Sequence, residues 1–355
     1  MATATNEGVL DRATDGARAA ETRGTRPPRL AFLGVGWIGR NRMQAVLRDG
    51  AAAAAVVADP SADARARAAA DAPDALLVDS AEALLERADA LDGVVVATPS
   101  AQHAEQAVAA LERGLAVFCQ KPLGRDAAEA ARVVDAARSA DRLLGVDMCY
   151  RRTRAGAAVA ELVRSGALGR IRAVDLVFHN AYGPDKAWFY DAARAGGGCL
   201  MDLGIHLVDL LLWSLDEWTV EDVHARLYRG ATVLVDRAEV EDLAHATLRL
   251  PGGATARLAC SWNLHAGQDA VIEATFHGTD GAARMRNLCG SFYDFVAERM
   301  DGTRTERLVD PPDDWGGRPI RAWARRLATD AGYDPAAEEA VRVARVLDAI
   351  YACAS

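Results

Sequence analysis

Short apolar runs alternate with helix-like segments over the first part of the chain. The runs predict six strands, at residues 30–33, 53–58, 75–78, 93–97, 116–119 and 143–146. The segments between them have the apolar spacing of helices, at residues 41–48, 62–72, 81–88, 101–113 and 126–140. Strands that alternate with helices in this way form a parallel, doubly wound sheet, so the sequence predicts an α/β domain.

The pattern changes near residue 149, where alternating strands replace the strand-helix repeat. Helices are predicted at residues 153–165, 200–212 and 336–352, and strands at residues 171–178, 220–228, 243–250, 254–262, 270–278, 287–300 and 303–309. Pro251-Gly252-Gly253 is a hairpin turn between two of these strands. The second domain is therefore predicted to be α+β, with a large mixed, mainly antiparallel open sheet.

These patterns divide the chain into four parts. Residues 1–28 are polar, small and mixed in charge, which is typical of a disordered tail. The doubly wound domain covers residues 29–148, the α+β domain covers residues 149–330, and the closing helix lies within residues 331–355.

Charge and cysteine content narrow the class of protein. The formal net charge is -9 and no basic stripe is present, which argues against a nucleic-acid partner. The six cysteines are widely spread and form no CxxC pair, as in a reduced, cytoplasmic protein. We predict no membrane association and no metal site, because the sequence shows neither an apolar signal region nor a ligand cluster.

The first chemical motif is a glycine-rich turn that follows the first predicted strand: Gly34-Val35-Gly36-Trp37-Ile38-Gly39. Gly34 permits the tight turn, Gly36 lets a pyrophosphate approach the backbone, and Gly39 lets helix and strand pack closely. The helix N-terminus at Trp37 and Ile38 offers N–H groups to phosphates. The motif predicts dinucleotide binding by a Rossmann domain; the alternative is a glycine turn that binds nothing.

Asp59 ends the second predicted strand, about 20 residues after Gly39, where a carboxylate meets the adenosine ribose hydroxyls of NAD. A carboxylate there repels the 2′-phosphate of NADP, so we predict NAD as the cofactor. Arg40 and Arg65 are close enough in sequence to serve such a phosphate, which keeps NADP as the less favoured alternative. Asp59 is also placed to cap the next helix, and the two roles are compatible.

Two more strand ends carry candidate cofactor residues. Thr98 and Pro99 close the fourth strand, at the carboxyl edge where such sheets bind ligands. His103 follows on the next helix, and it is either a cofactor-side residue or an ordinary helix-face residue.

The fifth strand ends at Gln120-Lys121-Pro122. Lys121 is expected beside the nicotinamide, where an ammonium hydrogen-bonds a substrate oxygen and transfers its proton. A solvated lysine at a strand end is the alternative.

A triple glycine, Gly196-Gly197-Gly198, precedes a predicted helix that carries Asp202 and His206. Four residues separate the two side chains, which places them on one helix face. A carboxylate and an imidazole on one face suit proton transfer and substrate orientation. The alternatives are metal binding, for which no third ligand is evident, and a helix cap with a buried structural histidine.

Together these motifs resemble the glucose-fructose oxidoreductase, inositol dehydrogenase and rhizopine catabolism (Gfo/Idh/MocA) family of NAD(P)-dependent oxidoreductases, over residues 29–354. The family pattern combines GxGxxG with Glu-Lys-Pro and with GGGxxxDxxxH. The resemblance implies hydride transfer between a carbinol carbon and nicotinamide. Lys121 and His206 then manage the hydroxyl proton, with Asp202 orienting His206. It also implies that the closing helix returns to the first domain.

The chain departs from the family pattern at Gln120, which replaces the glutamate. The change removes one charge that would hold Lys121 protonated, although an amide still forms hydrogen bonds. Weaker candidates for substrate contacts in the cleft between the domains are Arg151, Asn180, Tyr182, Trp188 and His265.

The leading hypothesis is an NAD-dependent dehydrogenase or ketoreductase for a sugar, an amino sugar such as an aminoglycoside, or a cyclitol. The Ala- and Arg-rich composition indicates a high-GC bacterial source. For such a source, a tailoring step in the biosynthesis of a glycosidic natural product is a reasonable hypothesis. The alternatives are a cofactor-binding regulator without turnover, and a glycosidase that oxidises its substrate transiently with bound NAD. An uncovered face of the second sheet would be a large apolar surface, which predicts a homodimer or homotetramer.

Overall fold

The computed structural model describes residues 26–353. Of the predicted tail, residues 1–25 lie outside the described residues. Arg26 forms an ion pair with Asp92 at 3.4 Å, and the carbonyl oxygen of Pro28 accepts a hydrogen bond from the backbone N–H of Ala53 at 2.9 Å. The chain therefore already contacts the first domain at residues 26–28, within the segment predicted to be a tail.

The first domain contains a six-stranded parallel sheet with the order β3-β2-β1-β4-β5-β6. Its strands are β1 Arg29–Leu33, β2 Ala53–Ala58, β3 Leu76–Val78, β4 Gly93–Val96, β5 Ala116–Cys119 and β6 Leu144–Val146. The strand order reverses between β1 and β4, and this switch point opens a crevice at the carboxyl ends of the strands. The predicted Rossmann-type sheet is confirmed.

Helices cover both faces of this sheet. They are α1 Trp37–Arg48, α2 Ala62–Asp71, α3 Ala81–Leu85, α4 Ser100–Leu111 and α5 Ala127–Ala140. The apolar side chains of α1 and α2 pack on one face, and those of α3, α4 and α5 pack on the other. Because both faces are buried, the central strands are uniformly apolar rather than alternating.

The second domain is built on a nine-stranded mixed sheet with the order β15-β14-β13-β12-β7-β11-β10-β8-β9. Its strands are β7 Ile171–Asn180, β8 Asp222–Arg229, β9 Thr232–Val233, β10 Leu243–Arg249, β11 Thr255–Ser261, β12 Ala270–Gly278, β13 Ala282–Asn287, β14 Phe295–Asp301 and β15 Arg304–Val309. Among the strands of the described residues 26–353, β7 and β11 are the only parallel pair in this sheet. The predicted α+β domain with a mainly antiparallel sheet is confirmed.

Three helices accompany this sheet: α6 Arg154–Arg164, α7 Ala192–Ala195 and α8 Ile205–Leu215. The apolar stretch Ala192–Leu215 is long enough to cross a membrane, but 83% of its most apolar window is buried inside the protein. Its C-terminal part, α8, is the central helix of the second core, next to α6 and the sheet.

The strand predicted at residues 287–300 is wrong, because β13 ends at Asn287 and β14 begins at Phe295. Cys289 and Gly290 have φ angles of 50° and 76°, in the left-handed region that breaks a strand. Two separate strands on either side of a turn therefore replace the predicted single one.

Two helices close the chain, α9 Gly317–Thr329 and α10 Glu338–Cys353. Helix α9 is not among the elements predicted from the sequence, although Ile320, Trp323 and Leu327 have helical spacing and are buried against the first sheet. Helix α10 packs on α5 of the first domain and on α8 and β8 of the second. It therefore links the two domains.

The face of the second sheet opposite the helices is polar, so the expectation of a large apolar surface is wrong. Arg284 and Arg286 both pair with Glu298, at 2.7 and 2.8 Å, and hydrogen bonds from the two guanidinium groups lower the pKa of Glu298 to about 2. Arg257 pairs with Asp175 at 2.6 Å on the same face. Assembly through this face stays a prediction, and it would rest on ion pairs.

Candidate active site

A cleft of about 780 Å³ runs along the carboxyl edge of the first sheet and under the second domain. Most of the predicted site residues line it: Gly34, Gly36, Trp37, Ile38, Asp59, Thr98, Pro99, His103, Gln120, Lys121, Asn180, Tyr182, Trp188, Asp202 and His206. The fold therefore brings into one cavity residues that are up to 172 positions apart, from Gly34 to His206.

The three glycines of the first turn have different surroundings. A Cβ on Gly34 would lie 2.6 Å from the carbonyl oxygen of Ala97, and one on Gly39 would lie 2.0 Å from the carbonyl oxygen of Gly34. A Cβ on Gly36 would meet no protein atom within 4 Å. Packing therefore requires Gly34 and Gly39, whereas Gly36 borders open space in the cleft.

Helix α1 begins at this turn with no side chain capping its N-terminus. Its first N–H groups are therefore available to an anion, and the helix dipole favours negative charge there. The open space at Gly36 and these free donors together fit the pyrophosphate of a dinucleotide.

Asp59 lies at the end of β2, where its two oxygens accept hydrogen bonds from the backbone N–H groups of Val35 and Ser61, both at 2.9 Å. Ser61, not Asp59, caps α2. Arg65 donates to the carbonyl oxygen of Asp59 at 2.6 Å. A carboxylate thus stands at the position expected for ribose recognition, tied to the glycine-rich turn itself.

His103 is buried on α4 and connects two loops of the first domain. Its ring nitrogens lie 2.6 Å from the carbonyl oxygens of Pro122 and Thr98. Burial lowers the pKa of His103. The imidazole therefore holds the ends of β4 and β5 together at the wall of the cleft, next to Lys121.

Lys121 and Asp202 come from different domains and meet in the cleft. The Nζ atom of Lys121 donates to Oδ1 of Asp202 at 2.7 Å and to the carbonyl oxygen of Asp202 at 2.8 Å. Trp262 donates from Nε1 to Oδ2 of Asp202 at 3.2 Å. An ammonium has three donors, so this arrangement leaves one for a ligand.

His206 also lines the cleft but makes a different set of contacts from those expected. Its Nδ1 has no hydrogen-bond partner among the described residues, and its ring packs edge-on against Tyr150 with centroids 4.7 Å apart. Burial, followed by the charges of Lys121 and Arg42, lowers the pKa of His206 well below its usual value. His206 is therefore a neutral imidazole at neutral pH.

The expected orientation of His206 by Asp202 is not present in this structure. Both carboxylate oxygens of Asp202 bond to Lys121 and Trp262. The local backbone also differs from the expected α-helix, because Leu200–Gly204 forms a π-helical turn before α8 begins. Asp202 therefore contacts the lysine of the first domain instead of the imidazole one turn away.

Glu241, which belongs to none of the sequence motifs, anchors the triple-glycine segment. This buried carboxylate accepts hydrogen bonds from the N–H groups of Gly198 and Leu200, and from the hydroxyl group of Tyr351, all at 2.9 Å. Cβ atoms on Gly197 and Gly198 would lie 1.9 Å from the Tyr351 hydroxyl and from the Glu241 carbonyl oxygen. The glycines are thus required for packing that places the Asp202 turn.

Two of the weaker candidates for substrate contacts lie outside the lining of this cleft. Arg151 does not line the cleft; it is buried in ion pairs with Asp209 at 3.4 Å and with Glu339 of α10. Burial raises the pKa of Asp209 to about 7. His265 is exposed outside the cleft, on the loop after β11.

The other three substrate candidates do line the cleft. Asn180 has a buried Oδ1 without a hydrogen-bond partner among residues 26–353, and Trp188 stacks on Phe189 with ring centroids 3.8 Å apart. Tyr182 is half exposed at the mouth, with its ring 6.3 Å from that of Phe292.

Aromatic rings form the wall of the cleft facing the glycine-rich turn. Trp315 lies 6.2 Å from Trp37 and 5.4 Å from Tyr293, measured between ring centroids. Within the described part of the chain, no three His, Cys, Asp or Glu side chains are grouped as a metal ion would need. The cleft thus offers hydrogen-bonding groups on one side and flat apolar surfaces on the other.

The different surroundings of the glycines give a paired prediction. Gly198→Ala forces Cβ against backbone, and we expect a loss of about 1–3 kcal/mol in the free energy of unfolding. Gly36→Ala meets no protein atom, so we expect an unchanged melting temperature but cofactor affinity weaker by about tenfold or more. Thermal denaturation and cofactor titration of both variants check this; a destabilised Gly36→Ala would contradict it.

A dinucleotide-type turn, a lysine at the edge of the parallel sheet and a second domain that closes over it define a nicotinamide-dependent oxidoreductase. The NAD-binding Rossmann-fold domain of the oxidoreductase family matches residues 29–148, and the GFO/IDH/MocA C-terminal domain matches residues 157–284. The chain belongs to the Gfo/Idh/MocA family of NAD(P)-dependent oxidoreductases.

The names of several similar proteins refer to sugars or to ketone reduction. A proposed oxidoreductase subunit of UDP-kanosamine synthase from Amycolatopsis mediterranei is 31% identical over 92% of this chain and 96% of its own length. A dTDP-3,4-didehydro-2,6-dideoxy-alpha-D-glucose 3-reductase from Streptomyces violaceoruber is 31% identical over 81% of this chain and 83% of its own. The crystal structure of a 3-ketoreductase from Actinomadura kijaniata, in complex with NADP and TDP-benzene, is 25% identical with a TM-score of 0.79, covering 92% and 97% of the two chains.

Proposed function

We propose that this protein is an NAD-dependent oxidoreductase for a secondary alcohol or ketone of a sugar, an amino sugar or a cyclitol. The observation that carries the proposal is the Lys121–Asp202 pair, which joins the carboxyl edge of the first sheet to the second domain. When bound, nicotinamide supplies the hydride acceptor or donor. The proton of the substrate hydroxyl is left to the side chains of the cleft.

The contacts of Lys121 and His206 support different roles for the two side chains in handling the substrate oxygen and its proton. Lys121, paired with a carboxylate, is an ammonium whose remaining N–H donates to the substrate oxygen and stabilises negative charge on it. His206 is neutral, so it is the group able to accept the hydroxyl proton when the alcohol is oxidised. In the reverse direction the protonated imidazole returns that proton to the oxygen.

Other aromatic side chains of the cleft support a sugar-like substrate. Tyr182, Trp188 and Phe292 present flat apolar surfaces, which suit the C–H faces of a pyranose or cyclitol ring, while Asn180 offers an unpaired acceptor. The names of the relatives from Amycolatopsis and Streptomyces support a role in tailoring activated sugars for natural products. A panel of free sugars, nucleotide-linked sugars, aminoglycosides and cyclitols, assayed for reduced nicotinamide, tests this substrate class.

The surroundings of Asp59 predict that NAD binds more tightly than NADP. The Asp59 carboxylate repels a 2′-phosphate. The two arginines that could bind such a phosphate already have partners. Arg40 forms an ion pair with Asp71 at 2.5 Å, and Arg65 donates hydrogen bonds to the carbonyl oxygens of Asp59 and Pro60. Titration of both cofactors should show NAD tighter by about tenfold or more, and a smaller difference in Asp59→Ala.

The Actinomadura relative was crystallised with NADP. Similarity to relatives therefore does not distinguish NAD from NADP, and the titration decides between them. Asp63→Ala, at an exposed position in the first turn of α2 just after Asp59, is the matched control, and we expect it to keep the wild-type preference. Tighter binding of NADP than of NAD by the wild-type protein would overturn the assignment.

A further inference from the structure

We propose that Asp147 and Arg42 are positioning residues of the active site, and that they act through Gln120. Gln120 immediately precedes Lys121, and all three residues of this network line the cleft. None of the three acts as an acid or base in the proposed reaction. The proposal deepens the proposed function and rests on it only for the effect on turnover.

The network joins three elements of the first domain. Gln120 follows β5, Asp147 follows β6, and Arg42 lies on α1. The backbone N–H of Asp147 donates to the carbonyl oxygen of Cys119 at 2.9 Å, which sets Asp147 beside Gln120 at the sheet edge. Gln120, Asp147 and Arg42 are 6%, 1% and 1% exposed.

Arg42 balances the buried charge of Asp147. Its Nε lies 2.6 Å from Oδ2 of Asp147, and its Nη1 donates to Oδ1 of Asn41 at 2.7 Å. The guanidinium lies 5.0 Å from the ring centre of Trp315, in the aromatic wall. Removing one partner of a buried pair leaves an uncompensated charge, so neither residue is replaceable alone.

Asp147 determines how Gln120 is oriented. Nε2 of Gln120 donates to the same Oδ2 that Arg42 contacts. An ionised carboxylate only accepts hydrogen bonds, so the amide must turn its NH₂ group towards Asp147. The carbonyl oxygen of Gln120 is then left as a neutral acceptor for a ligand in the cleft. A glutamate at position 120 would instead face Asp147 as a second carboxylate.

The network also affects the electrostatics of the proton-accepting group. The charges of Lys121 and Arg42 both lower the pKa of His206. Without the Asp147 carboxylate, the charge of Arg42 would be unbalanced and His206 would become a weaker base. The Arg42–Asp147 pair thus holds an arginine in the wall of the cleft, and the charge of that arginine contributes to the lowered pKa of His206.

A double-mutant cycle of Gln120→Glu and Asp147→Asn tests the proposal, with melting temperature, NAD affinity and turnover measured against pH. Asp147→Asn should lower the melting temperature and turnover. Gln120→Glu should lose NAD affinity as the pH rises, because two adjacent carboxylates share a proton. The double variant restores one carboxylate and one amide, and its NAD affinity should return to within about threefold of wild type.

Asp49→Asn is the matched control, since Asp49 follows the same helix and pairs with Arg325 at 2.7 Å outside the cleft. It should leave NAD affinity and turnover unchanged. If Asp147→Asn does not fold, recovery of a folded double variant supports the proposal. Losses that simply add in the double variant overturn it. Melting temperature and NAD affinity are measured without a substrate. Additive losses in these two quantities would therefore overturn the proposed network whether or not the protein oxidises a sugar.

Discussion

Lys121→Ala should lose turnover by about 10²- to 10⁴-fold while NAD affinity stays within about threefold of wild type. The ammonium is held by Asp202 at 2.7 Å with one donor left for the substrate oxygen. Alanine therefore removes a transition-state interaction and leaves the glycine-rich turn and Asp59 intact. Steady-state kinetics and NAD titration on the same preparation measure both quantities.

Asp202→Asn separates the charge of the pair from its geometry. The amide oxygen still accepts a hydrogen bond from Lys121, so we expect a smaller loss of turnover, about tenfold. A Lys121→Ala variant that keeps near-normal turnover over the pH range would show that Lys121 does not act on the substrate oxygen. The proposed site would then have to be rebuilt around His206.

His206→Gln should also lose turnover by about 10²- to 10⁴-fold, because glutamine fills a similar space but accepts no proton at these pH values. The pKa of His206 is lowered well below its usual 6.5. In the wild-type protein, turnover should therefore hold as the pH falls through 6.5 and decline only at lower pH. A decline centred at or above 6.5 would exclude His206 as the proton acceptor.

The same pKa shift predicts how stability depends on pH. The unfolded chain binds a proton at His206 near pH 6.5, whereas the folded protein does so only at lower pH. The unfolded state thus holds more protons below pH 6.5, and the stability contributed by neutral His206 is lost as the pH falls from about 6.5 towards the folded pKa. His206→Gln should flatten that part of the stability curve.

Much of the fold could be predicted because local patterns determine it. Six apolar runs separated by amphipathic segments lead to one parallel sheet, and turns such as Pro251-Gly252-Gly253 indicate antiparallel strands. In helix α9, Ile320, Trp323 and Leu327 have the spacing of an apolar helix face. The many arginines between them make this pattern difficult to recognise in the sequence. The break between β13 and β14 depends on the left-handed backbone conformation of Cys289 and Gly290. A cysteine in a sequence seldom indicates this conformation, so the break was not predicted.

The candidate site was less accessible to sequence reasoning because its main contacts are long-range. The motifs identified Lys121, Asp202 and His206, but not that Asp202 pairs with Lys121, 81 residues away. The spacing of four residues predicted a contact between Asp202 and His206 on one face of an α-helix. The residues Leu200–Gly204 form a π-helical turn instead, so the α-helical spacing does not apply there. Glu241 and Asp147 follow no motif, and only their burial and hydrogen bonds reveal them.

Tracing the hydride tests the central claim most directly. Once the panel has identified a substrate, it is prepared with deuterium on the carbon to be oxidised and incubated with the enzyme and NAD, and both products are analysed by mass spectrometry. We expect one deuterium in each reduced nicotinamide for every ketone formed, and with Lys121→Ala the same labelling formed about 10²- to 10⁴-fold more slowly. Substrate cleavage with release of a sugar, while the nicotinamide stays oxidised overall, would contradict it and indicate a glycosidase that oxidises its substrate transiently.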